Sequence, residues 1–149
     1  MRVIPIFFIV LLVGCSMPPK TADEFKTSRY APLKFEADLK VDKAFQLLID
    51  EYAKCYQVSN STMIPVGGAF IGSHESKTVE ASQLTDRSYQ IAVKRRVNFH
   101  SWYERMIELL SENGTQTKIT VYQLPAYDSK NKTTIERFLS GEKVSICEN

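Results

Sequence analysis

Trp102-Tyr103-Glu104-Arg105-Met106-Ile107-Glu108-Leu109-Leu110-Ser111-Glu112-Asn113-Gly114-Thr115-Gln116-Thr117-Lys118-Ile119-Thr120-Val121-Tyr122-Gln123 decides the architecture. Its first half is ambiguous, because Trp102, Tyr103, Met106, Ile107 and Leu110 also fall at helical spacing. Two features favour strands. Asn113-Gly114 supplies the left-handed conformations of a tight turn, and Thr117, Ile119 and Val121 alternate with Lys118, Thr120 and Tyr122. A hairpin closed by Ser111 and Thr115 around a three-residue loop sets Leu109 opposite Thr117, Ile107 opposite Ile119 and Glu108 opposite Lys118. That register gives an apolar face and a charge pair on the other face.

Toward the N-terminus, Thr62 to Val66, Ala69 to Ile71, Lys77 to Leu84 and Tyr89 to Val97 read as further strands. Gly67-Gly68, Gly72-Ser73 and Thr85-Asp86-Arg87-Ser88 are the expected breaks. Val41, Ala44, Phe45, Leu48, Tyr52 and Cys55 recur at steps of three and four, which predicts an amphipathic helix from about Asp42 to Gln57. Asp42 is expected to cap it, and Ser59-Asn60-Ser61 to close it. Ahead of it, Leu33, Phe35, Ala37 and Leu39 alternate with charges as a short edge strand. Beyond Pro125 and the polar turn Asp128-Ser129-Lys130-Asn131-Lys132, the segment Thr133 to Leu139 has helical spacing and Gly141 follows it. The expectation is an α+β single domain: an antiparallel β-meander packed by one long N-terminal helix and a short C-terminal helix.

The chain opens Met1-Arg2, continues through an apolar block from Val3 to Val13, and reaches Gly14-Cys15. The block falls short of the roughly 18 residues that a spanning helix requires, and it has the layout of an export signal. Leu12-Val13-Gly14-Cys15 resembles the end of a bacterial lipoprotein signal: an aliphatic residue, a small or β-branched one, a small one, then an obligatory cysteine. The resemblance implies cleavage before Cys15, a diacylglycerol on its thiol and further acylation of its amino group, palmitate being one such chain. Two or three chains hold a protein firmly where one does not. Ser16, where an Asp would favour retention in the inner membrane, points to the outer membrane.

Residues 1–14 are then a signal peptide, 15–32 the lipidated cysteine and a flexible tether containing Met17-Pro18-Pro19, and 33–149 the domain. Docking of Phe25 and Tyr30 back onto the domain is the alternative for the tether. Removing residues 1–14 from the 149 leaves one domain of ordinary size, with 18 Lys and Arg against 17 Asp and Glu. That balance predicts neither a nucleic-acid partner nor an acidic substrate. With Cys15 assigned to lipid, Cys55 and Cys147 form an even pair in an oxidising compartment, and a disulfide between them is expected over two buried inert thiols.

Catalytic signatures are absent. His74-Glu75 lacks the second His of a zinc-protease motif, Cys55 and Cys147 are not at metal-ligand spacing, and His100 stands alone, so no metal, cofactor or enzymatic activity is expected. Gly67-Gly68-Ala69-Phe70-Ile71-Gly72 lacks the spacing of a phosphate-binding loop. Lys94-Arg95-Arg96, the most basic run, is split between two faces if it lies on a strand; contact with anionic lipid or glycan is the alternative.

The order of elements, with one cysteine late in the first helix and another near the C-terminus, resembles small proteobacterial envelope lipoproteins without assigned activity. It is also similar to helix-grip folds, which occur in lipid carriers and in accessory lipoproteins of outer-membrane assembly. The resemblance implies a membrane-anchored, periplasm-facing, non-enzymatic structural or interaction module with an envelope protein as partner. The alternative is a periplasmic carrier of an apolar ligand, and the filling of the core separates the two.

Overall fold

The structure is a computed structural model that describes residues 18–27, 31–124 and 130–147, without the side chains of Ile64, Val66, Phe70, Lys130 and Asn131. Residues 1–14, expected to be a signal peptide, and Cys15, Tyr30, Pro125 and the start of the expected polar turn at Asp128 lie outside the described residues. The element order is α1 (Ala22–Lys26), β1 (Leu33–Ala37), α2 (Val41–Tyr56), β2 (Val58–Val66), β3 (Ala69–Thr85), β4 (Ser88–Val97), β5 (His100–Ser111), β6 (Thr117–Gln123) and α3 (Lys130–Leu139).

The six strands form one antiparallel sheet in the order β1-β6-β5-β4-β3-β2. Strands β2 to β6 are a meander, whereas β1 returns to pair with β6, so the strands on either side of α2 occupy opposite edges. The mixed α+β architecture is as expected, with the edge strand β1 ahead of the long helix, but a short helix α1 that was not expected precedes both.

The stripe of α2 carries Val41, Ala44, Leu48, Tyr52 and Tyr56 into the core. It meets Phe35, Ile91, Val93, Ile107, Leu109, Ile119 and Val121 from the sheet, and Ile135, Leu139 and Ile146 from the C-terminal segment. The helix begins after Lys40 with no side-chain cap, and Asp42 instead accepts a hydrogen bond from Tyr89 Oη at 2.7 Å. Asp42 lies inside the first turn, two positions past the cap position at Lys40, but its charge still suits the helix N-terminus.

Three other sequence expectations require correction. Ser59-Asn60-Ser61 is strand, and β3 passes through Gly72-Ser73 without a break, because pairing with β2 runs unbroken from Lys77 to Ala69. The β5–β6 hairpin has Leu109 opposite Ile119, Ile107 opposite Val121 and Ser111 opposite Thr117, a slip of two residues from the predicted register. The loop is longer than three residues because Asn113 organises it: its Oδ1 accepts from the backbone N–H groups of Thr115 and Gln116 at 3.1 and 3.0 Å, and Gly114 has φ +83°. A slip of two preserves which residues face the core, so the apolar face survives while the charge pair becomes Glu108 opposite Thr120.

The segment 15–32 is not a tether along its whole length. Thr21 caps α1 by accepting from Glu24 N–H, Glu24 accepts in turn from Lys20 N–H at 2.7 Å, and Phe25 is fully buried. Phe25 packs with Ala92 and Met106 on the sheet face opposite α2, flanked by Ala22, Tyr103, Tyr122 and Leu124. Lys26 pairs with Glu108, and Tyr103 N–H donates to Pro19 O at 2.8 Å along the stretch of β5 that β6 does not reach. Helix α1 therefore covers part of the sheet face opposite α2. Phe25→Ala should lower the unfolding free energy by about 3 kcal/mol or more in a urea titration, the range for a buried phenylalanine. A loss below about 1 kcal/mol would show that α1 is not part of the cooperative unit.

Candidate functional site

The chemistry of the described residues concentrates where the C-terminal end of α2 meets β3, β4 and β5. A bulge in β5 places Val93 opposite Arg105 and Lys94 opposite Tyr103, leaving Glu104 as the extra residue. Both bulged residues are consequently buried, Glu104 at 3% and Arg105 at 2% exposure. Glu104 holds Lys77 Nζ at 3.0 Å and Arg95 Nη1 at 3.1 Å, and Arg95 reaches on to Glu75 at 2.9 Å. Arg105 donates to Tyr56 Oη at 2.8 Å, and its guanidinium stands 5.4 Å and 5.8 Å from the Tyr56 and Tyr52 ring centroids. Burial works against the charge on Arg95, but hydrogen bonds to Glu75 and Glu104 outweigh it and raise its pKa further, so the residue stays cationic.

The network closes the core and does not open it. The space bounded by Tyr56, Val93, Glu104 and Arg105 has no room for a water molecule. Two clefts of about 410 Å³ each lie elsewhere. One is a polar groove on the sheet face opposite α2, lined by Ser76, Thr78, Glu80, Lys94, Arg96, Phe99 and Ser101. The other lies beside the β4–β5 turn, between Pro18, Lys20 and the segment Phe99 to Trp102.

At the same C-terminal end of α2, Cys55 is bonded to Cys147, with Cα atoms 5.1 Å apart and a sequence separation of 92. The tail is seated by the burial of Ile146, by Tyr56 Oη donating to Ile146 O at 3.4 Å, and by Ser145 Oγ donating to Glu51 at 3.2 Å. Glu51 lies close to both sulfurs, but sulfurs joined to each other are not thiolate ligands, so the trio is not a metal centre in this form.

The other sequence candidates are spread apart. Lys94, Arg95 and Arg96 point to alternate faces, engaging Glu80, Glu104 with Glu75, and the carbonyl of Asn98 respectively. His74 Nδ1 lies 3.0 Å from Ser61 Oγ on the neighbouring strand. Among the described residues no carboxylate hydrogen-bonds that ring, so the pair lacks the third member that orients a catalytic histidine. His100 lines the second cleft without joining His74. The Glu104–Arg105 cluster was not singled out in the sequence; its one signal is a pair of adjacent opposite charges interrupting an otherwise apolar strand.

No family model, curated protein or solved structure matches the chain.

Two stability predictions arise here. The disulfide closes a loop worth about 4.7 kcal/mol in the chain-entropy model, so Cys55→Ser and Cys147→Ser should lower the melting temperature by similar amounts. The double variant should be little worse than either, as differential scanning calorimetry would show; additive losses would mean that the cysteines act separately. The second concerns alkali. Burial, then Glu80, raises the Tyr103 pKa; burial, then Glu108, raises that of Tyr122. A raised folded pKa gives stability that is complete below the unfolded value of 10.0 and is lost as pH rises through the folded values. The melting temperature should therefore fall above about pH 10, and less steeply in the Tyr103→Phe/Tyr122→Phe variant. Parallel alkaline limbs for the two proteins would refute this.

Proposed function

We propose that the protein is a bacterial envelope lipoprotein, anchored through acyl chains on Cys15, facing the periplasm from the outer membrane, and serving as a non-enzymatic structural or interaction module. The observation that carries this is Leu12-Val13-Gly14-Cys15 standing at the end of the apolar block that follows Arg2. The Cys55–Cys147 bond supports it, because structural disulfides persist in exported proteins and are rare in reducing compartments. The packed contact between α2 and the sheet supports a module over a carrier: Leu48, Ile91, Ile107 and Ile119 are buried against one another with no ligand-sized cavity at Tyr56 and Arg105. The anchor needs no spanning helix, and among the described residues no helix is long and apolar enough to cross a membrane.

The test is Cys15→Ser in cells labelled with palmitate. The parent should incorporate label and fractionate with the outer membrane, and the variant should lose the label and persist as an unprocessed precursor. Label retained by the variant would rule the anchor out.

A further inference from the structure

A tethered protein presents one end to its membrane, and this chain has an end suited to that contact. Strand β4 runs toward the turn Asn98-Phe99, and β3 continues past it: Glu75 pairs with Val97, whereas Ala69 to His74 pairs only with β2. The β2–β3 hairpin therefore projects beyond the rest of the sheet by about 17 Å, at roughly 3.4 Å per residue over Ala69 to Ser73. The sequence of this arm contains no Asp, Glu, Lys or Arg between Lys54 and Glu75, in a chain that is 24% charged. Its described apolar side chains stand in solvent, Met63 at 67% and Ile71 at 55% exposure, and Phe99 at the neighbouring turn is 95% exposed. The turn is held outward: Asn98 has φ 53°, its N–H donates to His74 O at 2.8 Å, and its Oδ1 accepts from His74 N–H at 2.9 Å.

The start of the described chain lies at the same end. Pro18 and Lys20 line the cleft that Phe99, His100 and Trp102 complete. Cys15 is three residues before Pro18, a reach of about 10 Å at full extension. A lipid at Cys15 therefore holds the bilayer surface within about 10 Å of Pro18 and the cleft that Phe99 lines, whatever path those residues take.

We propose that Phe99 and the uncharged β2–β3 arm form a bilayer-contacting surface that sits at headgroup level beside the acylated cysteine and fixes the orientation of the domain. This rests on acylation of Cys15. The chemistry fits phospholipid: an aromatic tip for the boundary with the acyl chains, Lys20 and Arg96 beside it for phosphate, and an arm that loses no charge hydration on entry. The depth is bounded as well. Among the described residues the outer edge of β2 has no strand partner, and its backbone groups must keep water or headgroup partners, so the arm lies at the surface and does not span.

The experiment uses the full-length acylated protein in vesicles of phosphatidylethanolamine and phosphatidylglycerol with brominated acyl chains. A Trp102→Phe background carries a single tryptophan through Phe99→Trp, Met63→Trp or, at the opposite end of the sheet, Leu84→Trp; each variant is first shown to melt as the parent does. Tryptophan at 99 and at 63 should lose most of its emission to bromine, and tryptophan at 84 should keep it. Equal quenching at all three positions, with the acyl mass on Cys15 verified, overturns this orientation and leaves the anchor standing. Absence of the acyl mass overturns both. Shielding at 99 and 63 that appears only with more than one chain per vesicle, and without bromine quenching, assigns the surface to a second copy and also overturns the proposal.

Discussion

The width of the sheet sets the length of α2. Strands β1 and β2 lie at opposite edges, and the connections on either side of the helix are Asp38-Leu39-Lys40 and the single residue Gln57. With so little loop, the helix itself must carry the chain across. Six strands span five spacings of about 4.8 Å, or about 24 Å, and 16 residues of helix at about 1.5 Å each cover the same distance. The match explains why β1 pairs with β6 although the two are far apart in sequence. Once the meander is formed, the chain leaving β1 can reach β2 only along a path on which the stripe from Val41 to Tyr56 lies on Ile91, Ile107 and Ile119.

The crossing leaves the two ends of α2 in different surroundings. At its start Asp42 meets the Tyr89 hydroxyl near the β3–β4 turn. At its finish the stripe ends in tyrosines, whose rings shelter Arg105 and whose hydroxyls accept from its Nη1, while the bulge turns Glu104 toward Lys77 and Arg95. A buried ion network of this kind adds little net stability over apolar packing, but loss of one partner strands the others in a low dielectric. Its effect is positional: it fixes the register of β5 against β4 at the point where the pairing shifts. The Cys55–Cys147 bond then holds the C-terminal segment on the same end of the helix, so Ile135, Leu139 and Ile146 complete the core.

Periodicity carried part of this fold, because α2 and strands β1 and β6 each bury one side and therefore alternate visibly, whereas β4 and β5 are buried on both sides in mid-strand, at Ile91 to Val93 and at Glu104 to Ile107. Errors arose where a local contact outweighed the pattern. The hairpin register shifted because Asn113 closes a wider loop with its own side chain, a preference that an Asn-Gly pair alone does not distinguish from a tighter turn. Helix α1 is too short for periodicity to register, yet Thr21-Ala22-Asp23-Glu24 is a capping signature and Phe25 the apolar residue beside it; together they were the available signal. The adjacent charges Glu104 and Arg105 gave no sign of being buried together, since two such charges on a strand ordinarily place one in water, and only the bulge brings both inside. The pairing of Cys55 with Cys147 was legible because helical spacing put Cys55 on the core side of α2.

The arrangement also gives the body two unlike ends. At one end the β3–β4 turn holds Asp86 and Arg87, and the β5–β6 loop holds Glu112, Asn113 and Gln116; Arg87 ties the two by donating to the carbonyls of Ser111 and Glu112 at 3.2 and 3.1 Å. The polar groups of that end bond to one another, beside the half-exposed Leu84 and Leu110. At the other end the β2–β3 arm stands beyond its neighbours without charge, and among the described residues no strand pairs with one edge of its backbone. Exposed edges in free solution are commonly blunted by lysine, a bulge or a covering element, whereas β2 has only Pro65. An edge so lightly protected is tolerable where other chains cannot reach it. On the proposed anchoring, a surface held within a few residues of the bilayer meets that condition, so the same short connection that orients the domain also restricts access to its least guarded strand.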